Sequence, residues 1–442
     1  MGFLPEMFTM RVSKLSLILF IVFLTDFLNN LGLLSAVMIG GLHIYIFDVI
    51  SLVLLALSFP YWVTIRRKSK AELFLMGLFW VSIAAFIGGF REYGLTAGVA
   101  YRQDFTVFAL MFYVAASRQR LNLRNLTWII ALYSSFGILE GLSRMVGIAH
   151  QTSFVTNLDV SESSFVAHRL IGTNASLAIA GLSLILFTAA IMGQTKGNRR
   201  VWVGFAAIMA LAVSIADMNR SVWLAAIGGL VTLSLITKWR GSFKGWRQFN
   251  SIMVIMVVCV VAILWSMESR FLTQAASGVF QEHSTANWRI IGWLGLIDKV
   301  SGLHVLLGMG YGAGQARMVF GHVINNSAHN LFVGIYFYMG LIGLFLYLAF
   351  IYEILKGLRK VQVNTQDNAT RGLATALIAM FVLLFVYHIA YSQWLLDALV
   401  YGYSLRLLRQ YSRQVYWDKV DSSRQVSRLD SGYGAALPRR RW

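Results

Sequence analysis

Charge is scarce in this chain of 442 residues, and acidic charge is scarcest. Charged residues make up 13% and apolar ones 57%, where soluble domains carry roughly 25% and about 45–50%. A soluble protein of this length would be two or three polar-surfaced domains, and this composition excludes that class. The chain has a single cysteine, Cys259, inside an apolar run, so no intramolecular disulfide can form. No cluster of Cys and His has metal-ligand spacing, and no internal repeat of the kind common in transporters is visible. Arg11 and Lys14 precede an apolar stretch, as in a signal peptide, but no small-residue cleavage site follows. The first helix therefore reads as uncleaved.

What is present in quantity is hydrocarbon-compatible sequence. Apolar runs of about 17–25 residues, enough to cross a bilayer core of about 30 Å, recur along the whole length. Twelve spans fit: about 15–37, 42–65, 71–89, 97–116, 126–147, 169–192, 201–216, 221–237, 251–267, 329–355, 372–390 and 393–408. The net charge of +19 would point to nucleic acid in a soluble protein. Here the basic residues cluster in alternate loops (66–70, 118–124, 196–200, 238–247, 356–371) and in the tail from Arg406 onward. Basic loops stay in the cytoplasm, and no nucleic-acid partner is expected. The expected fold is an all-α polytopic membrane protein of about 12 transmembrane helices, one membrane domain over 1–442. Both termini would be cytoplasmic, with a 268–328 outer loop containing short helices and a 409–442 basic cytoplasmic tail, the basic residues from Arg406 onward meeting anionic headgroups.

Basic residues on the outer side run against this rule, so each needs a local reason. They are Arg91, Arg102, Arg144, Arg169, Arg220, Arg270, Arg289, Lys299 and Arg317. For Arg102, an ion pair with Asp104 fixing the fourth span is expected. Arg220 follows Asp217-Met218-Asn219 at the eighth span. Arg289 lies in a short amphipathic segment between Trp288 and Trp293, which read as membrane-interface anchors. His329 opens the tenth span, where a helix N-terminus favours an anion. Arginine's planar fork suits phosphate, and a neutral histidine can take a proton near physiological pH. Taken one at a time, an interfacial arginine reads as snorkelling to headgroups and a histidine as a cap. The Gly308-x-Gly310-x-Gly312-x-Gly314 run lacks the strand–turn–helix setting of a dinucleotide site and reads as a turn-rich loop.

One element is more specific. His329-Asn330, nine residues, then Gly340-x-x-Gly343 resembles the pattern of the O-antigen ligase and polysaccharide polymerase superfamily of membrane glycosyltransferases. The resemblance extends through Arg289 with Trp293, Gly308-x-Gly310-x-Gly312, Asn219-Arg220-Ser221 and Arg169-Leu170-Ile171-Gly172-Thr173, covering about 169–343. It implies a metal-independent, inverting glycosyltransferase without cofactor, at the outer face of a bacterial inner membrane. The implied donor is a glycan on undecaprenyl pyrophosphate, and the acceptor another glycan (polymerase) or lipid A-core (ligase). A flippase and a chain-length regulator would be working partners, with membrane lipids around the chain. Carried over by motif, His329, Arg289 and Arg220 would be catalytic. Arg169, Asn330, Gly310, Gly312 and Asp217 would bind substrate, and no metal site is implied. Asp159, Glu162, Asp217, Glu268, Glu282 and Asp298 remain alternative bases. The competing readings are a transporter or lipid-linked glycan flippase, and a non-catalytic envelope scaffold.

Overall fold

The computed structural model describes residues 14–34, 36–39, 42–64, 69–117, 121–145, 172–192, 195, 197–216, 219–238, 285–319, 322–324 and 329–430. Its helices are α1 (Lys14–Asn30), α2 (Ile46–Thr64), α3 (Lys70–Tyr93), α4 (Leu95–Ala116), α5 (Leu123–Met145), α6 (Thr173–Ile191), α7 (Asn198–Ala216), α8 (Arg220–Lys238), α9 (Thr285–Ile297), α10 (His304–Leu307), α11 (Leu331–Asn364), α12 (Asn368–His388) and α13 (Leu395–Asp430). Two small antiparallel hairpins interrupt them: β1 (Val37–Ile39) with β2 (Leu42–Ile44), and β3 (Arg317–Val319) with β4 (His322–Ile324). The protein is thus a mostly helical membrane protein, and seven helices (α2, α3, α5, α6, α7, α11, α12) are long and apolar enough to cross a bilayer.

Eleven of the twelve sequence-derived runs coincide with helices; the run at 251–267 lies outside the described residues. Four boundaries differ most, one of them the tenth run, whose helix continues to Asn364 rather than 355. The first run ends at Asn30 rather than 37, and the chain turns into the β1–β2 hairpin where the second run was expected to begin. The last helix continues to Asp430 instead of stopping near 408. Helix α4 carries Arg102, Gln103 and Asp104, yet most of its second half is buried. A helix walled in by neighbours needs no uniformly apolar surface.

Consecutive helices such as α6 and α7 pack antiparallel, while other close pairs join helices far apart in the chain: α3 with α11, α8 with α12, α2 with α4 and α4 with α13. Ser176 Oγ reaches the Ser214 carbonyl (3.4 Å) and Ser183 Oγ the Ala207 carbonyl (2.8 Å), setting α7 antiparallel to α6. Tyr387 near the end of α12 donates to Asn174 at the start of α6 (3.3 Å). Asn30 at the end of α1 donates to Glu140 near the end of α5 (3.3 Å). Phe47 stacks on Trp394 at 6.0 Å. These contacts gather the ends of α1, α5, α7 and α12 and the starts of α2, α6 and α13 on one face, and the α3–α4 turn at Gly94 and the Asn330–Ile389 bond add the end of α3 and the starts of α4 and α11.

The opposite face corrects the headgroup reading for two of these basic residues, Arg406 and Arg409. Arg406 is buried and donates to Ser117 Oγ rather than meeting headgroups. Arg409 pairs with the buried Glu72, donates to Tyr61 Oη (2.5 Å) and the Ala115 carbonyl (2.9 Å), and lies 4.6 Å from both the Tyr61 and Trp62 rings. Glu72 also closes the capping box of α3 with Ser69. Arg409→Met is therefore expected to strand a buried carboxylate and lower stability by about 3–5 kcal/mol. Thermal unfolding in detergent checks this, and the double change Glu72→Gln with Arg409→Met should recover much of the loss.

Candidate functional site

The site is assembled from α9, the β3–β4 hairpin, and the junctions that open α11 and close α12. Asn330 is the N-cap of α11: its Oδ1 accepts from Val333 N–H (3.0 Å), satisfying one of the helix's free donors. Its Nδ2 donates to the Ile389 carbonyl just beyond α12 (3.0 Å). Asn330 thus ties the start of α11 to the end of α12, and both ends of its amide serve that tie. The junction also holds His329 at φ 45°, a left-handed conformation that no other non-glycine residue among those described adopts. Side chains pay for that conformation in strain of order 1–3 kcal/mol. The strained backbone directs the imidazole between Trp288 of α9 (ring centroids 6.4 Å apart) and Tyr391 after α12 (6.3 Å).

Two guanidinium groups join it. Arg289 lies over the Tyr391 ring, 5.1 Å from its centroid. Its buried Nε has no hydrogen-bond partner among the described residues. Arg317, on β3, lies 5.9 Å from the Trp288 centroid and donates to the Gln315 carbonyl (3.0 Å). It is 4% exposed. Gly292 makes room for it, since a Cβ there would sit 2.7 Å from Arg317 Nε. Gln315 in turn donates to Tyr338 Oη (2.6 Å), tying the hairpin stem to α11. Burial lowers the Arg317 pKa.

His329 precedes the membrane-crossing helix α11, and its pKa falls to about 4, through burial first and then the charges of Arg289 and Arg317. The imidazole is therefore neutral across the physiological range. The sign of the linkage follows: the unfolded histidine, near 6.5, takes up its proton first as pH falls. The stabilisation is complete above about 6.5 and is lost between about 6.5 and 4. The stability of wild type relative to His329→Gln is expected to decline over that window and to be flat from pH 7 to 8, as read by thermal unfolding.

The glycine-rich loop lies directly behind these residues. Gly308, Gly310 and Gly312 have φ of +79°, +79° and +89°. Gly310 approaches Gly89, and Gly312 packs on Ala97, with room for no side chain at either. Between them Tyr311 is fully buried. Its ring stacks on Tyr338 (4.7 Å, 18°) and meets Tyr101 edge-on (4.8 Å, 62°), and its hydroxyl donates to Asp104 Oδ2 (2.6 Å). Gln393 Nε2 donates to the other Asp104 oxygen (2.9 Å).

Asp104 is therefore not the partner of Arg102. Arg102 pairs with Asp48 of α2 (2.8 Å) and lies 4.6 Å from the Tyr45 ring. Residues two apart on a helix project to different sides, so the expected Arg102–Asp104 pair could not form.

Of the residues singled out from sequence, the structure brings together His329 and Arg289, with Asn330 beneath them. Gly310 and Gly312 belong to the supporting loop. Arg220 starts α8 on the same face, because α7 ends beside the start of α6; its side chain lies outside the described residues, as do Arg169 and Asp217 entirely. Arg317, Trp288 and Tyr391 complete the group. Arg317 carried a signal, a basic residue retained on the outer side, but hairpin pairing was needed to place it. Comparison with protein-family models finds no match, and comparison with curated proteins finds none. The chemistry of the site must come from its own residues.

The arrangement suits an anion beside a neutral imidazole. Two cations converge near a helix start, on an aromatic floor that raises the local effect of charge. An uncharged imidazole stands between the rings that carry them.

Proposed function

We propose that this protein is a membrane glycosyltransferase of the O-antigen ligase and polysaccharide polymerase type, with a polyprenyl-pyrophosphate-linked glycan as donor. The observation that carries this reading is the convergence of Arg289, Arg317 and neutral His329 between Trp288 and Tyr391 on one face of a helical membrane bundle. In the proposed reaction the two guanidinium groups hold the pyrophosphate and neutralise the charge that grows on it as the bond from the anomeric carbon to phosphate oxygen breaks. The acceptor hydroxyl oxygen forms the new glycosidic bond from the opposite side of the sugar, which inverts the anomeric centre. His329 takes the hydroxyl proton. Bound pyrophosphate would offset the positive field of the arginines and raise the imidazole's basicity when the base is needed. The resemblance would add Arg220, Arg169 and Asp217 to donor binding.

The reading includes twelve spans, cytoplasmic termini and a site facing the outside of a bacterial inner membrane. Alternating packing direction and basic loops support it. A flippase supplying the donor and a chain-length regulator would be partners.

The test is transfer in proteoliposomes from an undecaprenyl-linked repeat unit, with EDTA present. Wild type is expected to form product; His329→Ala should lose activity by about 10²–10⁴-fold while staying folded. A ladder on the lipid carrier identifies a polymerase, and chains on lipid A-core a ligase. No transfer to any acceptor, together with movement of the lipid-linked glycan across the bilayer, would replace the proposal with a flippase.

A further inference from the structure

Residues 304–311 sit deeper than an outer loop should. Met309 N–H donates to the Phe337 carbonyl (2.7 Å) and Gly310 N–H to that of Tyr338 (3.2 Å), six and seven residues into α11. At about 1.5 Å per residue that is about 9–11 Å along the helix. Tyr311 N–H donates to the Ala85 carbonyl (3.2 Å), eight residues before the end of α3, about 12 Å by the same rise. Its hydroxyl reaches Asp104, nine residues into α4, about 13 Å. Three independent helices give one depth. Two of them, α3 and α11, are long and apolar enough to cross the membrane.

The docking is built into both partners. At Gly340 the backbone of α11 leaves helical geometry (φ 63°, ψ −165°), which interrupts the hydrogen-bond ladder and frees carbonyls upstream for the loop. A Cβ at Gly340 would lie 2.3 Å from the Leu306 carbonyl group, and one at Gly89 1.9 Å from the Tyr311 oxygen. Backbone touches backbone at both places.

Two further observations concern solvent. All eight consecutive N–H groups from His304 to Tyr311 have protein acceptors: Ser301, Gly302, Leu303 (twice), His304, Phe337, Tyr338 and Ala85. The Gly308 carbonyl is met by His304 Nδ1 at 2.8 Å. A segment bathed in water needs no such completeness, whereas non-helical backbone at membrane depth requires it. Three large apolar side chains face outward: Leu303 is 75% exposed, Leu307 58% and Leu306 49%, beside an exposed His304 whose Nδ1 is held by the Gly308 carbonyl. They continue an exposed apolar strip on α11 made by Leu341, Ile342 and Phe345.

We infer that residues 304–311 form a re-entrant segment set in the hydrocarbon layer, with Leu306 and Leu307, and Leu303 just before it, bearing on lipid acyl chains. The segment enters beside α9, turns at the glycines, and returns through Gly314 to the β3–β4 hairpin. It brings the membrane interior directly behind the Arg289–Arg317–His329 group. The inference does not depend on the proposed reaction.

The test places single cysteines at Leu303, Leu306 and Leu307 in a Cys259→Ser background and attaches a nitroxide. The full-length protein is reconstituted in phosphatidylcholine vesicles. Collision with oxygen, which partitions into lipid, is compared with collision with a water-soluble nickel chelate. Leu341→Cys serves as the in-span reference and Asp298→Cys, exposed at the end of α9, as the aqueous one. Labels at the three leucines are expected to match Leu341, with oxygen accessible and nickel excluded. Nickel accessibility equal to that at Asp298 would overturn the inference and place the segment in water. Three positions guard against failure of any one variant to fold.

Discussion

Removing both guanidinium groups, as Arg289→Ala with Arg317→Met, is expected to lower glycan transfer by about four orders of magnitude or more. Each donor aimed at developing charge is worth about 10²–10³ in rate when lost. In the proposed reaction the two would act on one pyrophosphate from separate elements, α9 and β3, so neither could take over the other's geometry. Methionine at Arg317 is chosen because that side chain is 4% exposed and fills a slot opened by Gly292; alanine would leave a cavity as well as removing charge. Arg289 has no such packing role, lying on the Tyr391 ring, and tolerates truncation. Arg289→Lys separates charge from fork geometry: lysine keeps the positive charge and loses the paired hydrogen bonds, so an intermediate rate is expected. The measurement is the single-turnover transfer rate at saturating donor, with monodispersity in detergent as the folding control. A double variant within tenfold of wild type would remove the two arginines from the mechanism.

Tyr311→Ala is expected to be the most destabilising single change in the glycine-rich loop. Truncating a fully buried aromatic ring costs about 3–5 kcal/mol, and here the ring also bridges Tyr101 and Tyr338. The change further strips the buried Asp104 carboxylate of its shortest hydrogen bond. Tyr311→Phe isolates that second effect: the ring stays, Asp104 keeps Gln393, and the expected loss is about 1.5–3 kcal/mol. Thermal unfolding in detergent orders the three proteins as wild type, then phenylalanine, then alanine. The transfer rate should fall with the same order, because Gln315, which steadies the Arg317 strand, hangs on Tyr338 beside the ring. Equal stability of wild type and Tyr311→Ala would mean that the loop is not anchored through this residue.

The expected Arg102–Asp104 pair shows where sequence proximity misleads. Both residues stand out as charges inside an apolar run, and adjacency invites pairing. In the fold they serve different neighbours, Asp48 on α2 and Tyr311 in the loop more than two hundred residues away. The tail arginines teach the same lesson. A run of basic residues reads as a headgroup contact, yet Arg406 and Arg409 turn inward to Ser117 and Glu72. In both cases a long-range partner decides, and nothing local announces it.

The sequence by itself determined the membrane class, because apolar run length is a direct response to hydrocarbon thickness. It also located eleven helices, the loop character of 308–314, and His329 and Arg289 as residues lipid does not require. Those properties are local: run length, turn chemistry, and charge where charge is expensive. Only the tertiary structure decided that Arg317 joins them, that Trp288 and Tyr391 are the walls, and that Asn330 is a clamp between helices. It alone revealed that Gly340 breaks α11 so that a loop can dock on its freed carbonyls. Each of these depends on backbone approaches between segments far apart in the chain. A single sequence carries the glycines that permit such approaches, but not the partners that complete them.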